Sequence, residues 1–292
     1  MTDKKGYLYW LRRKLPDQKV LERMDSLLKE LNLHTVCDSA LCPNRGECFK
    51  KGTATFMILG NICTRNCKFC AVETGKPLPL DPEEPYHIAQ AAKHLNLRHI
   101  VVTSVTRDDL SDGGAKHFAQ TITEVKKILP KSTIEVLIPD FKGTWEALQI
   151  VIDAHPEVIN HNIETVARLY KLVRPKAVYK RSLELLRQVK IRSKNIISKS
   201  GIMVGLGEEK EEVIKVMKDL REVDCDILTI GQYLKPSPHH LKVSEYIHPD
   251  KFEEYQKIGM SLGFKYVASA PLMRSSYHAG EILKEIQFNF NL

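Results

Sequence analysis

The sequence contains no run of 18 apolar residues, so no segment is expected to cross a membrane. Its first stretch, MTDKKGYLYWLRRKLPDQ, lacks the apolar core of a secretory signal. A cytoplasmic protein is therefore expected, in a compartment where thiols stay reduced. No internal repeat, low-complexity tract or linker divides the chain, so its 292 residues should build one compact unit. No basic block coincides with a nucleic-acid motif. Lys4, Lys5, Arg12, Arg13 and Lys14 cluster near the start, and Lys171, Arg174, Lys176, Lys180 and Arg181 form a second loose group. Nucleic acid is not an expected partner, and the net charge of +8 points to solubility or to an acidic protein partner. Cysteine is scarce, with seven in the chain, yet six of the seven fall into two groups of three.

What is present is an alternation of apolar runs and amphipathic segments. The runs at 53–60, 98–105, 132–139, 157–163, 201–206, 226–234 and 264–270 are rich in β-branched residues and are expected strands. Between them, DPEEPYHIAQAAKHLNL (81–97) has Asp81 to cap a helix, Pro82 in the first turn, and Glu83 and Glu84 where the helix dipole favours acids. Residues 207–223 put Val213, Val216, Met217 and Leu220 on one helical face, and residues 178–190 do the same with Leu183, Leu186 and Val189. Repeated strand–helix units imply parallel strands joined by crossovers. We expect a partial (β/α) TIM-type barrel of about six parallel strands, with an open doubly wound sheet as the rival. Residues 1–52 form an N-terminal extension, 53–270 the barrel and 271–292 a C-terminal extension, the two extensions covering the mouth. Reactive residues should sit at the C-terminal ends of the strands.

The two cysteine groups are CDSALCPNRGEC (37–48) and CTRNCKFC (63–70). In a reducing compartment they favour a metal site over disulfides. Iron–sulfur cubanes usually take four thiolates, one per iron, so three leave one iron open. Zinc is the rival, but it favours C-x2-C pairs and fills all four positions. Residues 63–70 are expected to form a loop wrapped around a cluster. Pro43 and Gly46 should keep the first group in a loop as well. Cys225 begins an apolar run and reads as a small buried residue, so a fourth ligand for the first group would be weaker than thiolate.

The C-x3-C-x2-C spacing of Cys63, Cys67 and Cys70, with Phe69 just before the last cysteine, resembles the signature of the radical S-adenosylmethionine superfamily. Taken with CDSALCPNRGEC and RSSYHAGE (274–281), it resembles the lipoyl synthase family. WLRRKLP (10–16), TSVTRDDLSDGGAKHF (103–118), NHNIETVARLY (160–170) and KSGIMVGLGE (199–208) extend that likeness along nearly the whole chain. The resemblance implies one [4Fe–4S] cluster on Cys63, Cys67 and Cys70, whose open iron chelates S-adenosylmethionine. It implies a second, auxiliary [4Fe–4S] cluster on Cys37, Cys42 and Cys48, with Ser276 as fourth ligand and Ser275 as the alternative. The implied activity is a radical sulfurtransferase, which inserts two sulfur atoms at carbons 6 and 8 of an octanoyl chain. The chain is carried on a lysine of a lipoyl carrier domain, in a 2-oxoacid dehydrogenase acyltransferase subunit or the glycine cleavage H protein. Two S-adenosylmethionine molecules are used, and the auxiliary cluster is the sulfur source. An electron donor such as ferredoxin or flavodoxin and an iron–sulfur carrier for rebuilding the cluster are further implied partners.

Candidates for holding S-adenosylmethionine are Thr103 and Ser104, Arg107, Asn162 and Glu164, and Gly201, Met203 and Gly205. Thr103 and Ser104 stand where many of the superfamily carry a Gly-Gly-Glu motif, which this chain lacks. Arg107 could equally make a loop salt bridge, and His161, His239 and His240 read as surface or hydrogen-bonded residues. The alternative activities are another radical sulfurtransferase or methylthiotransferase, and a non-enzymatic iron–sulfur sensor.

Overall fold

The computed structural model describes residues 8–12, 17–51 and 53–290. The N-terminal extension holds α1 (Gln18–Glu30), β1 (His34–Thr35), α2 (Val36–Ser39) and α3 (Arg45–Lys50). Then come β2 (Thr55–Ile58), two short strands β3 (Ile62–Cys63) and β4 (Glu73–Thr74), α4 (Glu84–His94), β5 (His99–Ser104), α5 (Ala115–Ile128), β6 (Thr133–Leu137), α6 (Trp145–Asp153) and β7 (Val158–Asn160). The chain continues through α7 (Tyr170–Val173), α8 (Tyr179–Arg192), β8 (Ile197–Val204), α9 (Lys210–Arg221), β9 (Ile227–Gln232), α10 (Pro249–Ser261), β10 (Tyr266–Ser269) and α11 (Ala279–Phe290).

Every expected strand forms, and β2, β5, β6, β7, β8, β9 and β10 pair in parallel in that order. The parallel strands number seven rather than about six. β1 adds antiparallel to β2, His34 opposite Met57, and ties the N-terminal extension to the barrel. The edge strands β1 and β10 do not pair with each other, so the sheet is a partial barrel and not a closed one.

The strands are covered on both faces, which is why they read as unbroken apolar runs. β8 is buried along nearly its whole length. Ile202 and Val204 belong to the apolar layer with Val213, Val216, Met217 and Leu220 of α9, while residues 201–203 border a cavity inside. α4 starts later than the sequence suggests. Its N-cap is Glu83, whose N–H donates to the Asp81 carboxylate at 2.9 Å, and Pro85 rather than Pro82 occupies the first turn.

The C-terminal extension has two parts. Residues 273–277 run along the cavity, whereas Ile282, Leu283 and Ile286 of α11 pack on Val158, Ile197 and Ile227, the first residues of β7, β8 and β9. α11 therefore closes the end of the barrel opposite the mouth. Between that floor and the cavity lies a buried charge pair: Lys199 Nζ meets Glu135 Oε1 at 2.8 Å and Oε2 at 3.0 Å, both side chains 1% exposed. In the N-terminal arm, the Trp10 ring stands edge-on to His248, the N-cap of α10, at 5.1 Å, so that part of the arm docks on the barrel. Residues 13–16 of the WLRRKLP stretch lie outside the described residues. Among the described residues, no helix is long and apolar enough to cross a membrane.

Candidate active site

Both cysteine groups open onto one cavity of about 480 Å³ at the C-terminal ends of the strands, and all six cysteines line it. The later group leaves β2 through a tight turn. Leu59 (φ 69°) and Gly60 (φ 87°) are both left-handed there, a conformation that costs a leucine energy unless its surroundings hold it. A buried clamp holds it. The Leu59 N–H donates to Glu84 Oε2 at 2.8 Å, His117 Nε2 lies 2.7 Å from the same oxygen, and Arg107 Nη1 donates to the Leu59 carbonyl at 3.2 Å. Cys63 follows on β3, and its Sγ accepts N–H groups from Arg65 (3.4 Å) and Thr106 (3.3 Å).

The loop beyond Cys63 is pinned to the barrel at several points. Arg65 forks onto Asp108 at 2.8 and 2.9 Å and reaches Asp140 at 2.6 Å. Lys176 Nζ donates to the Thr64 carbonyl at 2.7 Å, and the Lys68 N–H to the Val173 carbonyl at 2.8 Å. His240 Nε2 is 3.0 Å from the Cys70 carbonyl. Phe69 lines the cavity and packs on the apolar layer between β8, β9 and α9. Burial alone would raise the Asp140 carboxyl, but hydrogen bonds and charge from Arg65 hold it well below the usual range.

The earlier group is not the loop expected from Pro43 and Gly46. Cys37 lies in α2, Cys48 lies in α3, and Cys42 sits in the turn between them. Pro43 precedes the N-cap Asn44 and so breaks nothing, and Gly46 occupies the first turn, where its cost of about 1 kcal/mol is tolerated. The Asn44 amide, 1% exposed, donates to the Leu272 carbonyl at 2.8 Å and so fastens this group to the C-terminal tail. In that tail Ser275 Oγ accepts weakly from Asn162 Nδ2 at 3.5 Å. Ser276 lines the main cavity and also a smaller one shared with Cys37 and Cys48.

Of the other candidates, Thr103, Ser104, Asn162, Glu164, Gly201 and Met203 line the cavity. Arg107 and Gly205 do not. Arg107 is spent on Asp109 (2.8 Å) and on the Leu59 clamp. Gly205 (φ 97°) forms the turn after β8, where a side chain would strike Gln232 and the Glu245 carbonyl. Gly201 is different, since an added Cβ would lie 2.7 Å from Thr229 Oγ1 and 2.8 Å from Asn162 Oδ1. Glu164 is itself left-handed (φ 68°) and accepts from Asn162 Nδ2 at 3.1 Å. Burial raises its carboxyl, with Arg174 opposing.

Two cavity residues escaped the sequence reading. Arg65 and Arg174 appeared there as scattered charge or not at all, yet both are buried at the mouth. Arg174 Nη1 donates to the carbonyls of Asn162 (2.9 Å) and Ile163 (3.2 Å) and to Tyr170 Oη (3.1 Å), which sets the Asn162–Glu164 turn. The available signal was position, because both arginines sit beside a strand-end loop. His161 is buried rather than on the surface, hydrogen-bonded to the Ile138 carbonyl and to Ser182, both within 2.9 Å. Burial, then the charge of Arg174, lowers its pKa to about 4, so the imidazole is neutral.

The donor set suits iron–sulfur clusters. All six thiols are free. Burial raises Cys37 and Cys70 to about 12 and Cys48 to about 11. Burial raises Cys67 as well, and Arg174 draws it partly back. Such thiols give up their protons to a metal rather than to water. Among the described residues, no three His, Cys, Asp or Glu side chains converge as a single ion requires. A cubane asks less convergence, because each thiolate binds a different iron. Three polar atoms on cavity residues have no hydrogen-bond partner, namely Ser104 Oγ, Asn162 Oδ1 and Arg174 Nε, as expected where a polar ligand completes the site.

Residues 57–220 match the family model of the Radical SAM superfamily. A lipoyl synthase of Caldanaerobacter subterraneus subsp. tengcongensis is 63% identical over 270 residues, which cover 92% of this chain and 94% of the relative. A second lipoyl synthase, from Caldicellulosiruptor saccharolyticus, is 57% identical over 277 residues, 95% of this chain and 97% of the relative. Among solved structures, methylornithine synthase (PylB) aligns with a TM-score of 0.54 at 14% identity, over 93% of this chain and 95% of that one, a likeness of fold.

Proposed function

This chain belongs to the lipoyl synthase family of radical SAM enzymes, and on that premise we propose that its mouth holds two [4Fe–4S] clusters, one resident and one consumed. Cys63, Cys67 and Cys70 hold the resident cluster. Cys37, Cys42 and Cys48 hold the other with Ser276, and it serves as the sulfur-donating substrate. The observation that carries this reading is that six cysteines from two separate segments, together with Ser276, line a single cavity. Ser276 is preferred to Ser275 because it adjoins Cys37 and Cys48, while Ser275 turns toward Asn162.

The enzyme is a radical sulfurtransferase acting on an octanoyl chain at carbons 6 and 8. Neither carbon carries an acidic hydrogen, so acid–base catalysis cannot reach it. When bound, the resident cluster and S-adenosylmethionine supply a 5′-deoxyadenosyl radical for the hydrogen abstraction. This chain's own residues do the rest. Ser104 and Asn162 offer unsatisfied oxygens to S-adenosylmethionine, and Glu164, placed by Arg174, offers a carboxylate. Gly201 lets the Asn162 and Thr229 side chains close onto its backbone, an approach any side chain there would block. Val36, Val72, Val105, Leu137, Ile138 and Tyr233 give the acyl chain an apolar wall that excludes water from radical chemistry. Six methylenes and the terminal methyl, buried at ~0.8 kcal/mol each, hold that chain with about 6 kcal/mol. A serine oxygen is a hard ligand for iron and leaves more readily than a thiolate, which suits a cluster that is dismantled.

The carrier substrate is a lipoyl domain whose acidic surface would meet Lys235, which lines the mouth, and the exposed Lys68, Lys142 and Lys176 on the cysteine loop and the strand-end loops beside it. A reducing, cytoplasmic setting suits the free thiols, and ferredoxin or flavodoxin is the electron donor we favour. The test is the iron and sulfide content of the reconstituted protein. Wild type should carry about eight irons, and Cys37→Ala and Cys63→Ala about four each. Only the Cys37 variant should still cleave S-adenosylmethionine. Zinc bound at Cys37, Cys42 and Cys48, or a single cluster in wild type, would refute the reading.

A further inference from the structure

The tail that carries Ser276 leaves β10 through a turn at residues 270–273 and runs past β9. Its backbone lies closer to that strand than a side chain permits. A Cβ built on Gly231 would stand 2.1 Å from the Met273 carbonyl oxygen and 3.0 Å from the carbonyl carbon. Of the two glycines inside the described strands, Gly201 is met by side chains and Gly231 chiefly by backbone, so at 231 neighbouring main chain would have to yield. Three consecutive carbonyls of the turn are each taken by a different partner. Pro271 accepts from the Gln232 N–H at 3.0 Å, Leu272 from Asn44 Nδ2 at 2.8 Å, and Met273 from Arg274 Nη1 at 2.6 Å while it rests on Gly231. Asn44 stands at the N-cap of α3, yet its side chain makes no cap hydrogen bond there and reaches the tail instead.

We propose that Gly231 and Asn44 are positioning residues for the sulfur-donating cluster: together they seat the turn at 270–273, and that seat sets the reach of Ser276 toward the iron left open by Cys37, Cys42 and Cys48. The inference rests on the two-cluster reading above, with Ser276 as ligand. Ser276 follows the seated Met273 carbonyl by three residues, in a turn closed by the Tyr277 N–H onto the Arg274 carbonyl at 3.0 Å. Beyond it the chain enters α11, whose Ile282, Leu283 and Ile286 are packed on the strand starts. α11 fixes the segment on one side of Ser276, and the seat fixes it on the other. β9 is held between β8 and β10, so with an alanine at 231 the tail gives way and not the strand. The Met273 carbonyl then retreats by about 1 Å to reach an ordinary contact, whereas a metal–ligand bond tolerates about 0.2 Å. Asn44 ties the same turn to the segment that bears the three thiolates. Barrel, thiolates and serine are thereby referred to one point.

The test has two readouts. The first is hydrogen–deuterium exchange of the reconstituted holoenzyme by mass spectrometry. Peptides covering residues 270–278 should exchange faster in Gly231→Ala and in Asn44→Ala than in wild type, with the rest of the barrel unchanged. The second is the oxidative stability of the sulfur-donating cluster, measured in the Cys63→Ala background, which holds that cluster alone. Ferricyanide takes one electron from [4Fe–4S]²⁺, and the resulting [4Fe–4S]³⁺ sheds Fe²⁺ from an iron without a protein ligand. The [3Fe–4S]⁺ that remains is counted by electron paramagnetic resonance. Gly231→Ala and Asn44→Ala should each convert about tenfold faster than the background, as Ser276→Ala does. Neither should add to Ser276→Ala. If Gly231→Ala does not fold, Asn44→Ala carries both readouts. Tail exchange as slow as wild type in a folded variant overturns the proposal. So does a cluster that stays resistant there while Ser276→Ala makes it sensitive, or a Gly231→Ala effect that persists on top of Ser276→Ala. If Ser276→Ala alone leaves the cluster as resistant as the background, the ligand reading falls, and the proposal falls with it.

Discussion

The Lys199–Glu135 pair gives the sharpest stability prediction. Both side chains are buried beneath the cavity, Asn160 Nδ2 adds a hydrogen bond to Glu135 at 3.2 Å, and His99 stands 3.7 Å away. Burial alone would raise the Glu135 carboxyl. The charge of Lys199, followed by His99, overrides it and brings the pKa from 4.5 to about 2. At 1.36 kcal/mol per pH unit that preference for the charged form corresponds to ~3 kcal/mol. Because the folded value is depressed, the contribution is complete above about pH 4.5 and is lost as pH falls toward 2. K199M strands a buried carboxylate and should destabilise the protein by about 3–5 kcal/mol at pH 7, whereas K199M/E135L, apolar at both places, should recover most of that loss. With a urea slope of ~3 kcal/mol/M, K199M should move the unfolding midpoint down by about 1 M. The assay is an anaerobic urea titration of the reconstituted enzyme by far-ultraviolet circular dichroism, at pH 7 and again near pH 4. The gap between wild type and K199M should narrow at the lower pH. A K199M midpoint equal to wild type, or a double variant as unstable as the single, would show that the pair does not carry this energy.

Gly201→Ala forces Asn162 or Thr229 to move, since the new Cβ falls within 2.8 Å of both. S-adenosylmethionine affinity should drop about tenfold, or ~1.4 kcal/mol, with folding and iron content unchanged, as equilibrium binding will report. Ser276→Cys should keep both clusters but lower thiolated product by about tenfold or more, because a thiolate holds iron harder than a serine oxygen, whereas Ser275→Ala should leave iron content intact; product mass spectrometry and iron assays separate the two. Raising salt from about 50 to 200 mM should slow association of an octanoylated carrier domain severalfold, and a salt-independent association rate in stopped flow would remove the basic mouth from the docking account.

The strands were legible because burial on both faces leaves a local signature, and each apolar β-branched run became a strand of the parallel sheet. The cysteine groups were legible because their spacing is local too. Errors arose where the outcome depends on partners distant in sequence. Pro43 and Gly46 argue for a loop when taken alone, yet α3 forms after Pro43 and is held by Asp25, which reaches Arg45 at 2.6 Å from twenty residues upstream. For Arg107 the loop salt bridge, one of its two readings, is what forms, and only its contact with Leu59 lay beyond local sequence. Its carboxylate is Asp109, two residues on, and its second task is the Leu59 carbonyl, 48 residues earlier. Arg65 and Arg174 were passed over because one charged residue in a basic chain carries no local mark. Only the fold shows Arg65 between Asp108 and Asp140, and Arg174 under the Asn162–Glu164 turn.

The two cysteine groups are anchored in different ways, and the difference follows the roles proposed for them. Residues 63–70 are bound directly to the barrel. Thr64 pairs with Thr106, Arg65 with the loops after β5 and β6, Lys68 with the end of α7, and Cys70 with His240. Moving any one of these cysteines would disturb bonds to several strand-end loops, which suits the resident cluster proposed for them. The earlier group carries several hydrogen bonds and ion pairs within its own segment. Cys42 N–H donates to Cys37, Cys48 N–H to Asn44, and Arg45 pairs with Asp38 and Asp25. It is tied to the tail by the Asn44–Leu272 hydrogen bond and a longer His278–Glu47 contact at 3.8 Å, and to the barrel by Cys37 and Phe49, which share the core with Phe56 and Met57 of β2. A ligand set built on a four-residue helix, a turn and a six-residue helix would relax around a changing cluster by local opening of those short elements. On the proposed roles, rigidity on one side would keep radical formation reproducible, and local opening on the other would let the donor be taken apart.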